Sequence, residues 1–216
     1  MSFRTIALQD SENVVGESLN ELQLELPSVM RLYKSMSERQ SLDFIRQYGE
    51  GSGFIFVPLV FTHPVLLATA VLIGVRNHLD VQGRRVESNT LVDVLRIEQF
   101  ITRSINNALA DPVRGITDQM LLAVALCASY EIKHGNGACY HMHMRGLVQM
   151  INLRGGLLAI SEPDPYVLRV LFWLDVNSTK LAGCKPYFGD MANGFEVRLL
   201  ADPRMFQDNG LSGNES

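Results

Sequence analysis

The chain has 216 residues, 47% of them apolar, which is enough to bury a sizeable core without disulfides or metal staples. With 19 Lys and Arg against 23 Asp and Glu, its net charge of −4 argues against a protein that grips phosphate backbones, which needs a concentrated excess of cations. Three widely spaced cysteines, Cys127, Cys139 and Cys184, form no disulfide framework and point to a reducing compartment.

The first residues, Met1-Ser2-Phe3-Arg4 followed by Asp10, Glu12 and Glu17, lack the basic flank, apolar stretch and cleavage site of a secretory signal, so the protein reads as intracellular. Residues 1–18 and 201–216 read as flexible polar ends around a helical domain over 19–200. Ser37 and Gln40 form a capping-box signal before Leu42, Ile45 and Tyr48, and Gly49 suits the stop. The run Gly49-Glu50-Gly51-Ser52-Gly53 resembles a phosphate loop in composition only; without a following Lys-Ser/Thr it reads as a turn. Residues 54–75 are nearly all apolar and approach the ~20 residues of a membrane span. Thr62-His63-Pro64 interrupts that stretch, and Pro64 fits as the first residue of a helix capped by Thr62 or His63. The expectation is therefore a buried core helix over 65–79 and no membrane partner.

Leu91, Leu95, Glu98, Ile101, Ile105 and Leu109 form a helical stripe with one polar interruption, ended by Asp111-Pro112. Thr117 is placed to cap residues 118–134, which are apolar nearly all round and so belong at the centre, with Gly135 as their stop. Residues 138–153 turn Leu147, Met150 and Ile151 toward a core, and Gly155-Gly156 breaks that helix. Asp164-Pro165 opens a last helix, apolar over 167–174, that runs past Trp173 to Gly183. Its Asn177-Ser178-Thr179 sequon reads as accidental inside a helix. The connectors are short and no period-2 alternation of useful length occurs. The fold class expected is all-α, an antiparallel array of about six to eight helices with no sheet.

Candidate chemistry is sparse. Cys139, His141 and His143 are metal-ligand types, but each step of two along a helix rotates by about 200°, so the three cannot face one ion. Metal and cofactor sites are expected to be absent. Glu131 and Asp175 sit in apolar helices, and a buried carboxylate requires a partner. His143, Arg145 and Arg154 are available for that purpose. The expected arrangement is a structural polar network of Glu131, His143, Arg145, Arg154 and Asp175 that pins three helices. Were the protein an enzyme, Glu131, His143 and Asp175 would be the first acid–base candidates.

The string from His143 through Arg145-Gly146, Leu147, Met150-Ile151-Asn152-Leu153-Arg154-Gly155-Gly156 to Leu157 resembles the fungal-specific transcription factor domain. That domain is the helical regulatory region lying downstream of a six-cysteine zinc cluster in fungal regulators. Phe56-Val57-Pro58-Leu59 with His63-Pro64-Val65-Leu66-Leu67, Ala128-Ser129-Tyr130-Glu131, Trp173-Leu174-Asp175 and Gly183-Cys184-Lys185-Pro186-Tyr187-Phe188 agree in order, so the resemblance covers about residues 40–190. It implies effector response, dimer contacts or restraint of an activation function. Three cysteines cannot assemble a cluster held by six thiolates, so direct zinc-dependent DNA recognition carries over to no residue here. Where members of that family continue with more helices after the Pro-Tyr-Phe segment, Leu200-Ala201-Asp202-Pro203 here runs into a polar tail, so the expectation is a minimal domain with an apolar face open to a partner.

The resulting expectation is a nuclear and cytoplasmic transcription-regulator-like protein of a filamentous fungus, linked to a specialised-metabolite pathway. It would act through a protein partner, either a complete zinc-cluster regulator or a second copy, with an apolar small-molecule effector and no direct nucleic-acid contact. The alternative on the same helical shell is a small-molecule binder or cofactor-free enzyme of the cyclase or isomerase type. A truncated product without an independent role is the third reading.

Overall fold

The computed structural model describes residues 60, 63–82, 88–161, 166–189 and 191. Outside these lie the helix expected after Ser37, the 49–53 turn, Thr62, Asp164-Pro165 and both polar ends. Among the described residues the architecture is all-α, with α1 (Pro64–Gln82), α2 (Ser88–Leu109), a 3-10 turn (Arg114–Ile116), α3 (Asp118–His134), α4 (Gly137–Leu153), α5 (Leu157–Ser161) and α6 (Tyr166–Ala182), and no strand. Within that set no helix is long and apolar enough to cross a membrane.

The middle of α3, from Met120 to Tyr130, is buried without a break, and α1, α2, α4 and α6 all pack against it. An all-round apolar helix is stable in water only when neighbours surround it, which makes α3 the axis of the array. Helix α1 starts at Pro64, whose fixed φ and missing N–H suit a first helical position. His63 takes the capping role: its carbonyl accepts from Leu67 N at 3.1 Å and its Nδ1 from Val65 N at 3.3 Å.

Helix α2 has a different buried register from the one its sequence suggests. Val94, Ile97, Ile101, Ile105 and Ala108 face the core, whereas Leu91, Leu95 and Leu109 are 43%, 62% and 48% exposed. The helix carries two overlapping apolar stripes, and packing against α1 and α3 selects the one with smaller, β-branched side chains.

The side-chain cap expected for α3 is not made, whereas α4, for which the sequence reading names no cap, has one. Thr117 holds the N-cap position of α3, but its hydroxyl donates back to Arg114 O at 3.0 Å and caps nothing. Asn136 caps α4 instead, its Oδ1 accepting from Ala138 N at 2.7 Å. Gly155 and Gly156 end α4 at φ +106° and +88°, a left-handed backbone that side chains with a Cβ resist, while Gly156 N donates to Ile151 O at 2.9 Å. The short α5, for which the sequence shows no clear period, buries Leu157 and Ile160. Asn177 lies within α6 and its Nδ2 donates to Trp173 O at 2.8 Å, while Ser178 and Thr179 of the sequon are buried. A buried hydroxyl pair, Ser129 and Ser178 at 2.9 Å, ties α3 to α6.

Candidate functional site

Asp175, on α6, is 1% exposed. Gly183, at φ +64°, ends α6, and Cys184 N bonds back to Thr179 O at 3.2 Å, so the following loop folds over the helix. That turn delivers two backbone donors to the carboxylate: Tyr187 N to Oδ1 at 3.1 Å and Phe188 N to Oδ2 at 2.9 Å. Burial raises the Asp175 pKa above the usual carboxylate range, and the two N–H bonds oppose the rise. Phe188 is fully buried and meets Phe172 edge-on at 5.8 Å. The Tyr187 hydroxyl lies 2.5 Å from His141 Nδ1, and the fully buried Tyr140 ring stands edge-on to Tyr187 at 6.1 Å. The loop is thus clamped to α6 by one carboxylate and to α4 by aromatic contacts.

The five residues expected to form one network are dispersed. Asp175 takes backbone donors from its own loop in place of a cation, because two nearby N–H groups satisfy a carboxylate without ordering a long side chain. Arg145 is exposed, and its Nε donates to His141 O at 3.1 Å. Arg154, at the end of α4, pairs with the Asp118 carboxylate and donates to Ile116 O at 3.2 Å. This joins the end of α4 to the start of α3, where an acidic side chain suits the helix dipole.

Only Glu131 and His143 come together, on the wall of a cavity of about 780 Å³ formed by α1, α2, α3 and α4. Glu131 Oε2 accepts from Asn136 N at 2.9 Å, folding over the α3–α4 turn. The fold depends on Gly135, where a Cβ would stand 2.1 Å from that oxygen and 3.1 Å from the Glu131 Cα. Burial lowers the His143 pKa, with Glu131 acting in the opposite sense. Deeper in the cavity, the Tyr130 hydroxyl donates to Glu98 Oε1 at 2.7 Å, and burial followed by Glu98 raises the phenol pKa. Cys127 is buried and its thiol is pushed up to about 12, which leaves it unreactive at neutral pH.

Sequence reasoning overlooked Arg76, Glu98 and Tyr130, although Glu98 was visible as the polar break in the α2 stripe. His134, also on the cavity wall, sits 2.8 Å from Asp80 Oδ2 through Nδ1 and 3.0 Å from Asn77 Oδ1 through Nε2. Burial lowers its pKa more than Asp80 raises it. Among the described residues no three His, Cys, Asp or Glu are grouped to hold a metal ion. Cys139 is half-buried, His141 turns to Tyr187 and His143 to the cavity.

The family model of the fungal specific transcription factor domain matches residues 53–191, more than half of the chain. No curated protein and no solved structure matches it. Both the Asp175 clamp and the cavity fall inside the matched span.

Proposed function

We propose that this chain, which belongs to the fungal specific transcription factor domain family, regulates transcription through protein contacts in the nucleus and serves a specialised-metabolite pathway. Its transcription-regulator-like character rests on the family match. The protein-contact reading is supported by the second stripe of α2: Leu91, Val92 and Leu95 are 43%, 45% and 62% exposed, and Met142 of α4, which shares a cavity with the two leucines, is 57% exposed. Apolar side chains gathered on one surface mark a contact site, because covering them recovers roughly 25 cal/mol per Å².

The 216 residues contain three cysteines and so cannot themselves supply six thiolates. In this reading DNA recognition comes from a complete zinc-cluster regulator that carries the chain as a partner, with a second copy as the alternative occupant of the α2 face. The test fuses the chain to an unrelated DNA-binding domain and reads a reporter in a fungal host, alongside transcript and metabolite profiles of a deletion strain. Reporter output should change, Leu95→Glu should abolish the change, and pathway transcripts should fall on deletion. An inert fusion with unaltered transcripts defeats the reading.

A second reading, a small-molecule binder or cofactor-free enzyme, is favoured by the cavity that holds Glu131 and His143. Deletion would then accumulate one defined intermediate while pathway transcripts stay unchanged.

A further inference from the structure

The cavity between α1, α2, α3 and α4, at about 780 Å³, falls within the size range of ligand pockets. Its interior wall is largely apolar, with Leu72, Val94 and Ile101 buried, and Leu91, Leu95 and Met142 line it from exposed positions. The charged groups around it are unevenly matched. Glu98 already accepts the Tyr130 hydroxyl, Glu131 accepts the Asn136 N–H, and His134 is held between Asp80 and Asn77.

Arg76 is different. It lines the same cavity from α1, its Nε is shielded from solvent with no hydrogen-bond partner, and among the described residues it forms no ion pair. A guanidinium carries five donors and cannot discard its proton, so a poorly matched one at the edge of an apolar cavity favours any ligand that supplies an anionic oxygen. Glu98 and Glu131 stay negatively charged after accepting one neutral donor each, so a ligand cation is the competing occupant, and the head group that binds best decides between them.

We infer that this cavity binds an apolar small molecule bearing an ionised carboxylate, with the chain of the ligand on the Leu91, Leu95 and Met142 side and its carboxylate against Arg76. The inference goes beyond the regulatory reading and does not depend on it, since binding is read on the isolated chain and regulation in the cell.

The probes are three twelve-carbon molecules with one tail and different heads: dodecanoate, dodecanol and dodecylammonium. Each is titrated calorimetrically with the 216-residue chain below its micelle or solubility limit. Dodecanoate should saturate one site at least about tenfold more tightly than the other two, the difference a charge-assisted hydrogen bond supplies. Arg76→Gln should erase the head-group preference while the tail still binds, and Leu95→Ser, an uncharged change at an exposed position, should weaken all three. Unchanged circular dichroism melting of each variant separates loss of binding from loss of fold. Tightest binding of the ammonium, equal binding of all three heads, a preference that survives Arg76→Gln, or no saturable binding would each overturn the inference.

Discussion

In the half of the molecule built by α4, α6 and the loop after Gly183, a buried charge is fully served: both oxygens of Asp175 accept backbone N–H groups, and Phe188 seals the site against Phe172. In the half built by α1 and α2, Arg76 keeps a solvent-shielded Nε without an acceptor, beside a cavity lined by exposed leucines. Both halves lean on the same central helix. The contrast lies between these two sites and not between whole halves, since Arg169 Nε on α6 and the Tyr140 hydroxyl on α4 are also buried without a hydrogen-bond partner: a completed set of hydrogen bonds holds a loop in place, whereas an incomplete one beside a cavity leaves interaction energy for something that arrives later.

That contrast makes the clamp the place where damage costs most. Phe188→Ala, which empties a fully buried position, should destabilise the chain by about 3–5 kcal/mol in urea denaturation. Asp175→Ala leaves two backbone donors without their acceptor and should cost about 2–4 kcal/mol; Asp175→Asn, which retains one acceptor oxygen, should fall in between. If Asp175→Ala melts like the parent, the clamp does not hold the loop.

Acid should separate the buried histidines from Asp175 by sign. His63, His134 and His143 have folded pKa values below 6.5, lowered by burial, so the unfolded chain binds more protons than the folded one between those values and 6.5. Their contribution is fully present above about pH 6.5 and is lost as pH falls through the folded values. Asp175, raised above 3.8, behaves oppositely: its buried charge is a cost above its folded pKa that is relieved as pH falls through it. The melting temperature should therefore drop between pH 7 and 5, and His143→Gln should shrink the drop. A flat profile would show that the three histidines are not held neutral by the fold.

The smallest effect is expected on the open half. Leu95→Ser, at a position 62% exposed, should leave stability within about 0.5 kcal/mol while weakening any contact made there. A loss above about 1 kcal/mol would place Leu95 in the core and close the groove.

Much of the helix plan was legible because its signals are local. Pro64 opens α1, the apolar run of 120–130 marks α3 as the central element, and Gly155-Gly156 and Gly183 stop their helices through φ values that glycine accepts readily. The candidate site was harder to read. The sequence period of α2 picks out Leu91, Leu95, Glu98, Ile101, Ile105 and Leu109, of which only Ile101 and Ile105 are buried; Val94, Ile97 and Ala108 fit a helical period with these two as well, and only the surface presented by α1 and α3 chooses. Thr117 and Asn136 are both good capping types, and which hydroxyl or amide turns inward depends on the chain entering the helix.

The amino-acid order by itself determined the all-α class, the family and most helix ends, since each follows from residues within a turn or two of one another or from a string read directly. Tertiary structure decided that Asp175 is met by loop N–H groups and not by Arg145 or Arg154, that Glu131 and His143 share a cavity, and that Arg76 lacks an acceptor there. A buried charge is matched by whatever donor or acceptor the packed neighbours bring within about 3 Å, and sequence spacing does not encode that distance.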